Sequence, residues 1–379
     1  MGIKAALYVH LPFCRAKCPY CDFYSLPFSD LEKIPVKEFL EALKKEITLW
    51  QPRLKNHKFV TFYAGGGTPS LLPPSFFEEL FSFLKANLYF IPEEATIEVN
   101  PEGLTFENLL GYRRVFNRIS IGAQSFTKKG LKALGRRHLV SDIEKAVTLA
   151  RKAGFSNLSL DMIYAWPGEN LEDLEEELKL LVSFEPQHVS CYELTPEPET
   201  PLWELIQKNK IKLLPEEKII KFFWFIHEFL EGKGFKHYEI SNYARPGYQC
   251  KHNLFYWEAK PYLGLGPGAA SFLEGKRFKN EENLKKYLEA LGQGQFPPRE
   301  IETLDAEARF REAVILGLRV LKGISLPEFK KHFGFDVLTY YGKTLKSLLA
   351  EGFLILENDR LRLSRKGILL SNFVFRELV

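Results

Sequence analysis

Short β-rich runs alternate with helices apolar on one face through about the first two hundred residues, and few architectures accommodate that rhythm. Strands are expected at Ala5–His10, Lys58–Ala64, Thr96–Asn100, Arg118–Gln124, Leu158–Tyr164 and His188–Leu194. Between the first two, Val36, Phe39, Leu40, Leu43, Ile47 and Trp50 recur at helical spacing and predict a helix over Val36–Gln51. Pro73 and Pro74 open a second helix that runs to about Asn87. Ser141 with Glu144 reads as a capping box at the start of a later one. Strands alternating with helices at this interval imply βαβ units and a parallel sheet. Periodicity leaves an open sheet and a barrel equally available.

The placement of polar and glycine residues chooses between them. A cysteine loop follows the first strand and Gly65-Gly66-Gly67-Thr68-Pro69 follows the second. Glu98 and Asn100 end the third, Gln124 ends the fourth, Asp161 lies late in the fifth, and Tyr192 with Thr195 closes the sixth. Chemistry gathered at the carboxyl ends of successive strands is the habit of (β/α) barrels. The expected fold is therefore α/β: a partial (β/α)6 TIM-type barrel over residues 1–298. Gly292–Arg299 reads as a linker. Helices near Asp305–Leu321, Leu326–Phe333 and Val337–Glu351 then precede β runs at Phe353–Glu357 and Arg360–Leu363. That order predicts a small winged-helix-like domain over residues 299–379.

A formal net charge of +4, spread along the chain, gives no basis for nucleic-acid binding, and the C-terminal charges are mixed rather than striped. No apolar run is long enough for a membrane span and no secretory signal is visible, so an integral membrane protein is not expected and the cytoplasm is. Five cysteines, three of them within eight residues, fit a disulfide framework poorly. Cys191, inside a strand, reads as packed core.

Cys14-x3-Cys18-x2-Cys21 puts three thiolates in one loop, the ligands that iron–sulfur clusters prefer. Three cysteines on a four-iron cubane would leave one iron open to the amino and carboxylate groups of a small molecule. A Cys3His zinc site using His10 is the rival reading. Gly264-x-Gly266-x-x-Ala269 matches a dinucleotide fingerprint but lacks an evident strand before it and helix after it. No Walker A sequence is present.

Tyr8-Val9-His10-Leu11-Pro12-Phe13-Cys14 and Cys18-Pro19-Tyr20-Cys21-Asp22-Phe23 resemble the radical SAM superfamily. More narrowly, they resemble the branch of oxygen-independent coproporphyrinogen III oxidases (HemN) and HemW heme chaperones. The likeness continues through Gly65–Ser70, Ile97–Pro101, Ser120–Phe126, Leu160–Tyr164, Tyr238–Asn242 and Gly264–Ala269, nearly the whole chain. It implies a [4Fe–4S] cluster on Cys14, Cys18 and Cys21, with S-adenosylmethionine (SAM) on the open iron. Tyr8 and Tyr20 would lie beside SAM, and the Gly66-Gly67-Thr68 backbone would receive its methionine end. Glu98, Gln124, Arg136 or Arg137, and Asp161 match polar SAM contacts, with Asp161 suited to ribose hydroxyls. Thr195 and Ala270 align with adenosine contacts.

Two departures separate the chain from the oxidases. Position 23 is Phe where they resemble Cys-x3-Cys-x2-Cys-x-Cys, and Tyr8 lies almost at the start where they carry an N-terminal arm. Both match the HemW type, whose His-Asn-x-x-Tyr segment, held to bind heme, reads His252-Asn253-Leu254-Phe255-Tyr256 here. His252 would ligate the iron and Tyr256 would wall the macrocycle. Cys250 is either a buried thiol or a soft ligand nearby. The resemblance implies a chaperone delivering heme to heme-accepting haemoproteins, membrane-bound ones included, with an electron donor as second partner. No residue is assigned a catalytic role. SAM cleavage is compatible with the scaffold, and coproporphyrinogen oxidation is the alternative function.

Overall fold

The structure is a computed structural model that describes residues 2–28 and 31–379. All six expected strands form: β1 (Ile3–Leu11), β2 (His57–Gly66), β3 (Phe90–Val99), β4 (Arg118–Gln124), β5 (Asn157–Tyr164) and β6 (His188–Glu193). They lie side by side in chain order, each parallel to the next. Their connections carry α1 (Val36–Trp50), α2 (Pro74–Asn87), α3 (Phe106–Arg113), α4 (Lys128–Ala133), α5 (Val140–Lys152) and α6 (Leu171–Ser183). The partial (β/α)6 barrel is thus the architecture of the first three hundred or so residues.

Side chains alternate across each strand, and the alternation sorts by chemistry. Phe62, Ile97, Ile119, Ile121, Leu158, Leu160 and Val189 are sealed in the core between sheet and helices. Phe39, Leu43 and Ile47 of α1, and Phe77 and Leu80 of α2, face them. Cys191 is buried in this same core, as expected. The alternate positions are polar: Thr61 and Tyr63 on β2, Thr96 and Glu98 on β3, Ser120 on β4, Ser159 and Asp161 on β5, Ser190 on β6. Branched aliphatics usually fill a barrel of this kind. A polar lining leaves room and hydrogen-bonding capacity for a ligand.

Past β6 run α7 (Pro201–Gln207), α8 (Glu216–Gly232), β7 (Lys236–Glu239), β8 (Asn242–Ala244), α9 (Lys251–Trp257), β9 (Tyr262–Leu265), β10 (Ala270–Leu273), β11 (Lys276–Asn280), α10 (Leu284–Gly292) and β12 (Arg299–Thr303). The sheet order is β12-β11-β10-β9-β1-β2-β3-β4-β5-β6-β8-β7, so its edges stay unpaired with each other. A strand does precede Gly266, contrary to the sequence reading, but β10 rather than a helix follows it, so the dinucleotide fingerprint still fails.

Two local differences have clear causes. α5 starts at Val140, and its first-turn Asp142 accepts the Leu139 N–H at 2.7 Å, so Ser141 falls inside the helix instead of capping it. A reciprocal capping box stands at α6, where Asn170 and Asp173 bond each other's backbone N–H at 2.8 and 3.0 Å. The expected division at 298/299 meets a strand: β12 is laddered to β11 and carries the sheet on to Thr303. Stacking of the Arg299 guanidinium on Phe296, Trp50 and Phe278 holds it there.

The C-terminal region comprises α11 (Ala306–Arg319), β13 (Ile324–Ser325), α12 (Leu326–Phe333), α13 (Val337–Ala350), β14 (Leu354–Glu357) and β15 (Arg360–Leu363), followed by two short helices. Phe310, Leu318, Leu345 and Leu361 belong to a core of its own. Backbone bonds from Leu321 N to Tyr238 O and Ile240 N to Arg319 O, at 3.0 and 3.2 Å, join it to the barrel.

Candidate cluster and cofactor site

The cysteine loop leaves the carboxyl end of β1 and turns back against β2. Gly67 N donates to Leu11 O at 2.8 Å and Thr68 N to Phe13 O at 2.7 Å, so the glycine turn and the loop are stitched together. A side chain at Gly66, where φ is +106°, would sit 2.5 Å from the His10 ring. At Gly67 it would sit 2.6 Å from Phe13 O. The Gly66 N–H goes to Glu98 Oε2 at 3.2 Å. All three amides of the turn are therefore spent on the chain, and the Thr68 carbonyl accepts from Leu71 N at 3.0 Å, so the Gly66 and Gly67 carbonyls are the ones left to meet a ligand. That is the polarity an ammonium group requires.

Cys14, Cys18 and Cys21 are free, partly exposed thiols lining one cavity of about 400 Å³. Burial pushes the Cys21 thiol up to about 11 and also raises Cys14, so neither thiolate forms readily until a metal claims it. Cationic and hydroxyl partners stand ready. Arg136 Nη1 donates to Cys18 Sγ at 3.2 Å, and the Thr68 hydroxyl lies 3.7 Å from Cys14 Sγ. Asn100 joins them, donating to Thr68 Oγ1 at 3.2 Å and accepting from Arg136 Nη2 at 2.9 Å.

His10 is not available as a fourth ligand. Its Nε2 meets Tyr24 O at 2.8 Å and its Nδ1 the Tyr8 hydroxyl at 3.0 Å, deep in the barrel. Among the described residues no three His, Cys, Asp or Glu groups are drawn together tightly enough for a single ion. Three thiols around one cavity are the donor type that an iron–sulfur cubane takes.

The same cavity is lined by Tyr20, Gly66, Gly67, Thr68, Glu98, Gln124, Arg136, Asp161 and Thr195. Of the two arginine candidates, Arg136 faces the cavity and Arg137 is exposed outside it. Tyr8 and Ala270 do not line it. Tyr8 packs on Tyr63 and His252 one layer deeper, and Ala270 lies on β10, laddered to Lys279. Glu98 accepts from the Tyr63 hydroxyl at 2.7 Å, and burial pushes its carboxyl up to about 7. Asp161 is held by the Ser120 hydroxyl at 2.9 Å and that of Ser159 at 3.2 Å, with burial raising its pKa. Gln124 takes φ of +65°, a strained backbone at the cavity wall.

Sequence reasoning did not single out Tyr63, Arg118, Ser120, His188 or Ser190, all of which line the cavity. Their signal was the period-two recurrence of polar residues within the strands, such as Arg118, Ser120, Gly122 and Gln124 on one face of β4.

His252 and Tyr256 lie apart from the thiols on α9. His252 is 1% exposed, with Nδ1 at 2.9 Å from Thr61 Oγ1 and Nε2 at 2.8 Å from the Tyr256 hydroxyl. Burial and the Arg118 charge depress its pKa to about 3, so the ring is neutral. Cys250, equally buried, donates to Glu94 Oε1 at 3.5 Å, and burial pushes its thiol up to about 12.

Residues 8–181 match the radical SAM superfamily and residues 304–370 the HemN C-terminal domain. Over 371 residues the chain is 32% identical to the heme chaperone HemW of Bacillus subtilis (strain 168), covering 97% of each. Against HemW of Escherichia coli (strain K12) it is 31% identical, covering 97% of this chain and 96% of that one. Against HemW of Synechocystis the identity is 37%, covering 85% and 80%. The solved coproporphyrinogen III oxidase HemN from Escherichia coli, described as a radical SAM enzyme, superposes with a TM-score of 0.85 at 24% identity. That superposition covers all of this chain and 90% of HemN, and it establishes the shared fold. With relatives above 30% identity along its whole length, the chain belongs to the HemW family within the radical SAM superfamily.

Proposed function

We propose that the protein is a heme chaperone: it binds heme and passes it to heme-accepting haemoproteins, and it carries a [4Fe–4S] cluster with SAM. The observation that carries this reading is identity along the full length to proteins named heme chaperone HemW. Phe23 supports it. Where the oxidases resemble a fourth cysteine, this chain presents a phenyl ring that is 63% exposed beside the cavity.

The thiols of Cys14, Cys18 and Cys21 would hold the cluster, which when bound and reduced supplies one electron to SAM. The chain's own residues would do the rest. Arg136 offsets thiolate charge at Cys18, and the carbonyl side of Gly66 and Gly67 meets the ammonium of SAM. Asp161, pre-oriented by Ser120 and Ser159, accepts from ribose hydroxyls. A reducing partner and a cytoplasmic location follow from the chemistry of such a cluster.

Heme is cargo, and His252 with Tyr256 are its proposed contacts. Both ring nitrogens of His252 are engaged, so ligation would compete with either Thr61 or Tyr256. Among the described residues no helix is long and apolar enough to cross a membrane, so a membrane acceptor would be met from outside the bilayer.

Anaerobic incubation of cluster-loaded protein with coproporphyrinogen III and SAM separates the two functions. The chaperone reading expects heme uptake and transfer to an apo-haemoprotein without decarboxylation. Sustained decarboxylation with release of 5′-deoxyadenosine would make the protein an oxidase instead.

A further inference from the structure

A second cavity, of about 450 Å³, opens at the opposite end of the barrel. It lies between Trp50, the last residue of α1, His57, the first of β2, the β10–β11 turn, and β12. The ten residues of β2 separate His57 from Gly66, so this cavity is roughly 30 Å from the cysteine loop.

Its lining is rich in donors. Arg53 stacks on Phe296 and Trp50 at 5.3 and 5.8 Å, and Arg299 on the same two rings at 4.2 and 5.1 Å. Two guanidiniums are thus pinned side by side on aromatic faces. Among the described residues, Arg53, Arg299 and Lys276 make no ion pair, although all three line the cavity. The Trp50 Nε1 and His57 Nδ1 atoms are also buried without a partner, in residues only 5% and 4% exposed. An indole N–H can only donate, and a buried donor without an acceptor is costly. Among the described residues, Glu274 is the one carboxylate along the wall. Burial and the neighbouring Arg53 both disfavour the Arg299 charge, opposed by Glu46. Glu46 itself is committed to Gly266, Asn280 and Tyr287.

We propose that this cleft binds an organic oxyanion, a carboxylate or phosphate carried on an apolar body. Arg53, Arg299 and Lys276 meet the charge, Trp50 and His57 complete the donor set, and Phe278 and Ile301 receive the body. Paired, aromatic-stacked guanidiniums are the groups best suited to a planar oxyanion. The volume falls in the small-molecule range of about 300–1,000 Å³ and exceeds what a bare inorganic ion would fill.

Isothermal titration of the cluster-loaded full chain with phenyl phosphate, protoporphyrin IX and protoporphyrin IX dimethyl ester tests the site and separates its sources. Saturable uptake of phenyl phosphate or of the free porphyrin is expected. It should weaken at least tenfold in the Arg53→Gln/Arg299→Gln double variant, with SAM binding unchanged. Preference for phenyl phosphate assigns a phosphate ester, and preference for the free porphyrin over its ester assigns a propionate. No saturable uptake of either, or uptake indifferent to the double substitution, overturns the site. Should the double variant not fold, Lys276→Gln at the exposed start of β11 and the His57 ring resonances of the wild type decide. Weaker uptake and a moved ring support the site, and an unmoved ring refutes it.

Discussion

Arg136 reaches from beyond β4 to place Nη1 3.2 Å from the Cys18 sulfur, while its Nη2 holds Asn100 Oδ1 at 2.9 Å. Through Asn100 and Thr68 the path continues to Cys14, so two of the three thiols proposed to hold the cluster are linked by one chain of polar contacts. The cysteine loop is fixed to the barrel wall rather than merely tethered to β1.

Anaerobically reconstituted protein should carry about four irons and four sulfides per chain, and Cys14→Ala, Cys18→Ala or Cys21→Ala should each reduce them to background. Stoichiometric zinc in protein purified without oxygen would contradict the cluster assignment.

Arg136→Gln should behave differently. The three thiols remain, so iron content is retained. Loss of a cation beside Cys18 removes stabilisation of the reduced, more negative cluster, so its reduction potential should fall. Redox titration followed by electron paramagnetic resonance measures this. A potential equal to wild type would show that the 3.2 Å contact does not persist in the loaded protein.

Asp161→Asn should weaken SAM binding by about tenfold, equivalent to about 1.4 kcal/mol. An amide keeps the shape but loses the charge that Ser120 and Ser159 orient toward the cavity. Equilibrium dialysis with SAM gives the ratio directly, and iron content should not change.

Much of this architecture was readable in the chain. Hydrophobic alternation located all six barrel strands, because residues such as Ile119 and Ile121 must leave water on the same face. Cys14, Gly66, Glu98 and Gln124 converge because parallel strands bring their carboxyl ends to one rim, a consequence of topology rather than of sequence distance. What stayed hidden depends on packing. Tyr8 stands in the same motif as Cys14, yet its hydroxyl turns to His10, below the cavity. The β12 strand, which begins where the Pro- and Gly-rich stretch ends, stayed hidden because it rests on its ladder to β11 and on Arg299 stacking on distant Trp50. The motif offers His252 as a heme ligand, and only the fold reveals that Thr61 and Tyr256 occupy both of its nitrogens.

Heme ligation by His252 requires breaking one of those two bonds, so freeing a ring nitrogen should help. Thr61→Val removes the partner of Nδ1, and stopped-flow mixing with heme should show faster growth of the ligated Soret band than in wild type. His252→Ala should lose that band. If Thr61→Val leaves the rate unchanged while His252→Ala leaves the band intact, the ligand is another residue.

Stability should fall as pH rises above the usual carboxylate range, and Glu169 is the group to test. Glu169 and Glu177 are both fully buried. Glu169 Oε2 accepts from Ala165 N and Trp166 N at 2.5 and 3.2 Å, and Glu177 Oε1 from the hydroxyls of Ser125 and Thr127. Their remaining oxygens have no partner among the described residues. Burial, then the Glu177 charge, pushes Glu169 up to about 9, and burial raises Glu177 to about 7. A pair so placed keeps a proton at neutral pH. The folded chain then binds more protons than the unfolded one between the ordinary value of 4.5 and about 9. The stabilisation is therefore complete below that window and lost as pH climbs through it. Glu169→Gln mimics the protonated acid, keeps an acceptor for Ala165 and Trp166, and does not titrate. Denaturant unfolding at about pH 6 and about pH 9 should show the wild type losing more stability than the variant, by at least about 1 kcal/mol. Equal losses would mean that the carboxyl is ionised in the folded protein, with a counter-charge reaching it.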